Sequence, residues 1–152
     1  MYFEYVSTPV GVYKIVADER AIVFLGLTEN KDKDAPNDLT KECKKQLLEY
    51  FYGKRKIFEI QVEPKGTRFQ KLVWEELLRI PYGETRTYKQ VAHALNTEGY
   101  RAIGQACSKN PIEIVIPCHR VLSEKGLGGY SAGLNVKLFL LKLEGAQLNF
   151  VP

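Results

Sequence analysis

The 152-residue sequence holds only three cysteines, two histidines, one tryptophan and one methionine. Cys43, Cys107 and Cys118 are odd in number and show no CxxC spacing, which argues against a disulfide framework and for thiols in a reducing compartment. With His93 and His119 as the only imidazoles, no two potential ligands make a zinc-finger pair, so neither a metal nor another cofactor is expected. No window approaches the ~18 consecutive apolar residues of a membrane helix. Met1-Tyr2-Phe3-Glu4 lacks the basic, apolar, small-residue order of a signal peptide. The expectation is a cytoplasmic protein with no membrane partner. Charge of one sign is scarce too: 22 Lys+Arg against 18 Asp+Glu leave +4, a surplus that permits nucleic acid without demanding it.

What is present suffices for a packed core. Hydrophobic residues make up 45% and charged residues 26%, which excludes disorder as the default. Tyr2 to Val6, Val12 to Ala17 and Ala21 to Leu27 are rich in β-branched and aromatic residues and are separated by turn signals, predicting an antiparallel meander. Leu39, Cys43, Leu47 and Tyr50 follow helical spacing up to Gly53, which places Cys43 in a core. Ile57 to Val62 reads as one more strand. Glu63-Pro64-Lys65-Gly66 is the best linker, so two domains are expected, 1–63 and 64–152.

Beyond the linker the pattern turns helical. Thr67 with Gln70 forms a capping box, and Phe69, Leu72, Val73 and Leu77 give an apolar stripe that Pro81 ends. Thr87 with Gln90 repeats the box and opens a short helix carrying Val91, Ala92 and Leu95 inward. A third helix runs from about Glu98 to Lys109, stopped by Asn110-Pro111. Two short helices joined around Asn96 and Thr97 resemble a helix-turn-helix, with an antiparallel pair that merely packs as the bland alternative. The last helix, about Asn135 to Glu144, is apolar on most sides and is expected to be well buried. Glu144 sits at its C-terminal end, where the helix dipole disfavours a carboxylate.

The chemistry concentrates in Pro117-Cys118-His119-Arg120, after the apolar run Ile112 to Ile116, which reads as a buried strand. A thiol beside an imidazole in a Pro-rigidified turn has the makings of an activated nucleophile. Neighbours on an extended segment point to opposite sides, so contact between Cys118 and His119 needs a turn or a bridging water. A buried structural thiol, a satisfied core histidine and a helix-end surface acid remain the bland alternatives for Cys118, His119 and Glu144.

The run Asn110-Pro111 through Ile114-Val115-Ile116-Pro117-Cys118-His119-Arg120-Val121, then Gly128-Gly129-Tyr130-Ser131-Ala132-Gly133 and Leu143-Glu144-Gly145, resembles the signature of the O6-alkylguanine-DNA alkyltransferases, or methylated-DNA-protein-cysteine methyltransferases. Ile80-Pro81-Tyr82-Gly83-Glu84-Thr85, Thr87-Tyr88 and Arg101-Ala102-Ile103-Gly104 match upstream in order, so the resemblance covers residues 67 to 145, while the first sixty match only loosely.

The resemblance implies an α+β protein: a small N-terminal α/β domain with an antiparallel sheet, ribonuclease H-like, and a mostly helical C-terminal domain with a helix-turn-helix. It implies direct-reversal DNA repair, in which the alkyl group of O6-alkylguanine in duplex DNA moves irreversibly to Cys118 by a monomer that acts once. His119 would then be the base acting through a water, Glu144 its orienting carboxylate, and Asn110 the tie between active-site loop and helix-turn-helix. Arg101 would fill the space left by the flipped base and Tyr88 would assist the flip. Ser131 and the backbone near Tyr130 would face the O6 position, and Tyr130 would wall the pocket. Ala102, Gly104 and Ala106 would permit close approach in the minor groove, largely independent of sequence, with Val121 among the substrate-side residues. A lesion-binding relative without transfer, a cysteine hydrolase and a transcription regulator are the rival readings.

Overall fold

The computed structural model describes residues 1–152 and divides into two compact units, Met1–Lys65 with Pro111–Glu113, and Gly66–Asn110 with Ile114–Pro152. In the first unit β1 (Tyr2–Thr8), β2 (Gly11–Ala17) and β3 (Ile22–Thr28) form an antiparallel sheet in the order β1-β2-β3, as the alternating sequence requires. Period-two alternation is cleanest in β2, where Tyr13, Ile15 and Ala17 are buried. The helix α1 (Asp38–Phe51) starts on Asn37, whose side chain accepts from Thr40 N–H while Thr40 Oγ1 accepts from Asn37 N–H. It packs on the sheet with Cys43, Leu47, Tyr50 and Phe51 buried, and it ends at Gly53, whose φ of +73° favours glycine.

The predicted strand at Ile57 to Val62 does not form. The Gln46 side chain takes both backbone groups of Glu59, donating to its carbonyl (3.0 Å) and accepting from its N–H (2.9 Å), so that segment has no ladder to join. Only Val62 pairs, in a single parallel bridge with Ile22.

The second unit is built on helices. α2 (Arg68–Leu77) and α3 (Tyr88–Ala94) begin on the capping boxes the sequence predicts, Thr67 with Gln70 and Thr87 with Gln90. α4 (Tyr100–Ser108) follows α3 after a turn in which Asn96 takes φ +55°. Helices α2, α3 and α4 pack on one another, and Trp74, fully buried on α2, donates its indole N–H to the Ala106 carbonyl of α4 at 2.9 Å. The inward face of α2 is therefore Val73, Trp74 and Leu77; Phe69 and Leu72, expected in the stripe, are exposed because the one large aromatic sets the rotation of the helix.

Two further expectations change. Ile112 to Ile116 is not a strand: Ile112 makes one bridge to Leu25 within the first unit, and buried Ile114 sits at φ +70°, a strained backbone for a β-branched residue. The ladder residues come later, where β5 (Val121–Leu122) pairs in parallel with the two-residue β4 (Arg86–Thr87). The last helix, α5 (Leu134–Leu143), is less buried than its apolar sequence suggests, since Leu134 and Phe139 are exposed and its fully buried side chains are Leu140, Leu141 and Lys137.

Candidate active site and nucleic-acid interface

Pro117 ends the approach to the site, and Cys118–Arg120 form one turn of 3-10 helix. This turn removes the difficulty of an extended Cys-His pair, because Cys118, His119 and Arg120 leave a tight turn in three directions. Asn110, just past the end of α4, braces the turn: its Nδ2 donates to the Ile116 carbonyl at 2.8 Å and to Cys118 Sγ at 3.2 Å.

Behind the thiol lies a buried ion cluster. His119, with no exposed surface, places Nε2 2.7 Å from Glu144 Oε2. Arg120 donates Nε to Glu144 Oε1 (2.8 Å) and Nη2 to Oε2 (3.0 Å), while its Nη1 donates to the Ile80 carbonyl (2.7 Å). Gly83 adds its N–H to Glu144 Oε1 at 3.2 Å. Burial would push the Glu144 carboxyl up, but the hydrogen bonds and charges of His119 and Arg120 outweigh it and hold the group well below the usual carboxylate range. Glu144 is therefore an ionised acceptor, so His119 Nε2 carries a proton and Nδ1 is the basic nitrogen. Nδ1 is buried and has no protein partner. Burial, with the Arg120 and Lys137 charges, holds the His119 pKa below its ordinary value despite the carboxylate. The pair is best described as neutral imidazole on ionised carboxylate, because burial disfavours a charged imidazole and Arg120 already balances the Glu144 charge.

In front of the thiol a cavity of about 690 Å³ opens between the helix-turn-helix and the glycine-rich loop, within the size range of small-molecule sites. Cys118 lines it together with Tyr88 of α3, Arg101 and Gly104 of α4, and Tyr130 and Ser131 of the loop. Tyr88 Oη donates to the Gly129 carbonyl at 3.4 Å, and burial, with Cys107 nearby, pushes its phenol up to about 12, so it stays a donor at neutral pH. Of the residues singled out in the sequence, Cys118, Tyr88, Arg101, Gly104, Tyr130 and Ser131 meet at this cavity. His119, Glu144 and Asn110 stand behind its wall. Ala106 and Val121 are buried in the core and Ala102 is half-buried outside the lining.

Two models of the 6-O-methylguanine DNA methyltransferases match in tandem, the ribonuclease-like domain over residues 1–64 and the DNA binding domain over residues 68–146. The chain belongs to this family. The Methanosarcina barkeri methylated-DNA–protein-cysteine methyltransferase is 42% identical over 97% of this chain and 99% of its own length. The constitutive enzyme of that name from Bacillus subtilis is 39% identical over 94% of each. Among solved structures, Mycobacterium tuberculosis OGT in complex with DNA superposes with a TM-score of 0.87 at 35% identity, covering 95% of this chain and 93% of that one.

For a methyltransferase of this family, three contributions to the site escaped sequence reasoning. Arg120 stood in the motif, but its partner is 24 residues away. Gly83 lies 61 residues from the carboxylate it contacts. Lys137, a cation flanked on both sides by apolar residues of α5, is the one with a visible signal. Fully buried, it donates Nζ to the carbonyls of Val121 (2.6 Å) and Gly129 (2.9 Å), tying β5 to the cavity loop, and burial brings its pKa down to about 8.

Proposed function

We propose that this protein repairs DNA by moving the alkyl group of O6-alkylguanine irreversibly to Cys118. The observation that carries this reading is the position of Cys118, with its sulfur on the wall of a cavity rimmed by a helix-turn-helix and a buried His119-Glu144 pair directly behind it. The cavity of about 690 Å³ is roomy enough for a purine, and the second unit holds the whole of the chain's basic surplus, which suits duplex DNA as partner.

The target base is out of reach inside a duplex and is flipped, at a cost of a few kcal/mol. Arg101, exposed at the cavity mouth, fills the vacated stack, and Tyr88 assists rotation and donates to the extrahelical guanine. Gly104 and Ala102 let α4 approach closely through the minor groove, where readout is degenerate and lesion recognition is independent of sequence. The Cys118 thiol passes its proton through a water to His119 Nδ1, and Glu144 stabilises the imidazolium formed. The sulfur lone pair then attacks the alkyl carbon in line as the carbon–O6 bond breaks. Its electron pair stays on guanine, where the Ser131 hydroxyl and the adjacent backbone stabilise the departing oxygen. The product thioether has no route back, so each molecule acts once.

Intact-mass analysis after incubation with a duplex carrying one O6-methylguanine tests this reading. One methyl group appears on Cys118, none appears in Cys118→Ala, and the yield stops at one per protein. Excess lesion cleared by substoichiometric protein points instead to a hydrolase.

A further inference from the structure

Glu144 is the most heavily held side chain of the site, and two of the four hydrogen bonds on its carboxylate come from Arg120. A carboxylate has two oxygens and free rotation about its last bond, so presenting one oxygen to a histidine takes more than proximity. Here the fork of the guanidinium takes Oε1 and Oε2 at once (2.8 and 3.0 Å), the geometry in which arginine fixes a carboxylate plane. The fork is itself anchored by its third nitrogen on the Ile80 carbonyl, at the end of the α2 segment, and Gly83 N–H takes the outer side of Oε1. Gly83 stands at φ +81°, and a Cβ there would lie 3.1 Å from the Glu144 carbonyl oxygen, so the turn is built around this residue. The Tyr82 ring lies 5.8 Å from the guanidinium carbon and closes the cluster from the same turn.

We propose that Arg120 is a positioning residue for the transfer to Cys118: braced on Ile80, it locks the plane of the Glu144 carboxylate so that Oε2 is held for His119 Nε2. The inference rests on the alkyl-transfer reading and adds to it a component without contact to DNA or to the reacting atoms. It also carries an electrostatic consequence. A lone buried carboxylate beside His119 favours imidazolium, which has no lone pair left to accept the thiol's proton. Burial of the ring opposes that pull, and the guanidinium, by offsetting the carboxylate charge, helps leave the imidazole neutral and basic at Nδ1. The other charged or titratable groups around the pair are Lys137 from α5, Tyr82 from the turn after α2, and Cys118 on the same 3-10 turn; Tyr88 of α3 and Cys107 of α4 lie on the far side of the thiol. Among these Arg120 is the only group bonded to Glu144 that stays charged throughout the working pH range.

The test compares wild type, Arg120→Gln and Arg120→Lys for single-turnover methyl transfer from an O6-methylguanine duplex between pH 5 and 9, with the thermal midpoint of each. A histidine titration by NMR accompanies it, simplified by there being only two histidines. Loss of a cation raises the proton affinity of its neighbours. Arg120→Gln therefore moves the acid limb of the rate profile, and the protonation of His119, to higher pH, and slows transfer about tenfold at pH 7, a part of the 10²–10⁴ typical of a general base. Arg120→Lys keeps the charge without the fork: its limb stays where the wild type's is, and its rate is severalfold lower. Equal slowing of both variants with an unmoved limb means a purely structural arginine and overturns the proposal, as does Arg120→Lys at wild-type rate. If Arg120→Gln does not fold, Arg120→Lys decides by its rate against its thermal midpoint: slowed transfer at an unchanged midpoint supports positioning, and a wild-type rate, or slowing matched by a lower midpoint, overturns the proposal. Absence of methyl on wild-type Cys118 sinks the functional reading itself, a result distinct from any of these.

Discussion

Glu144 joins stability and chemistry in one side chain. Its folded carboxyl titrates below the ordinary value, so the stability it contributes is fully present above the unfolded carboxyl's ~4.3 and is lost as pH falls through the folded value. Glu144→Gln leaves the buried Arg120 without its counter-charge, and breaking such a pair from one side costs about 3–5 kcal/mol. Chemical denaturation at pH 7 should show that loss, and the gap between variant and wild type should narrow as the pH drops below about 4. A gap that is constant with pH removes the linkage argument. Transfer to Cys118 should slow in the same variant, because a neutral amide stabilises imidazolium poorly.

At the scale of elements, the helix-turn-helix and the glycine-rich loop work as two jaws. Tyr88 is where they touch. A Cβ at Gly128, which takes φ +71°, would lie 2.7–2.8 Å from the ring and hydroxyl of Tyr88. Gly128→Ala should push this tyrosine aside and slow repair of duplex lesions by about tenfold, ~1.4 kcal/mol of barrier. Alkylation of Cys118 by a small electrophile such as iodoacetamide should be unaffected; equal slowing of both reactions contradicts the assignment. Thr87 is the N-cap of α3, with its hydroxyl on Gln90 N–H and the Gln90 side chain on its own N–H. Thr87→Ala should cost about 1 kcal/mol, read as a lower denaturation midpoint, and should weaken duplex affinity by loosening the start of the helix that carries Tyr88.

At the scale of the whole molecule the charge is unevenly shared: the first unit is close to neutral and the second basic. Duplex affinity should fall steeply with salt, with a log–log slope of about −0.9 per phosphate contacted, and Arg101→Ala, which removes the stack-filling side chain and no phosphate contact, should slow repair of duplex lesions while leaving that slope unchanged. Alkali is the condition in which burial acts against the fold. Burial pushes Cys43, Cys107 and Tyr88 up to about 12, so their protonated forms stabilise the folded state fully below about pH 9, and that stability is lost as pH rises toward 12. Lys137 works in the opposite sense, its depressed value of about 8 making stability rise between pH 8 and 10.5, but one group stands against three. Thermal midpoints should therefore decline above pH 9, and Cys43→Ala should soften the decline.

Short-range signals determined what the sequence alone could. The capping boxes at Thr67 and Thr87, the period-two pattern of β2 and the Gly53 stop all operate within a few residues, so they are legible in one dimension. The order of Pro117-Cys118-His119-Arg120 likewise placed thiol and imidazole side by side before any fold was known. Tertiary structure decided the rest where one group satisfied another from far away. Gln46 consumed the backbone of Glu59 and abolished an expected strand, and Trp74 rotated α2 so that Phe69 faced outward. Above all, Glu144 acquired its partners from the 3-10 turn and the Gly83 turn, 24 and 61 residues distant in the chain. Buried charge can be held only by groups that folding brings to it, and no local pattern records which groups those will be.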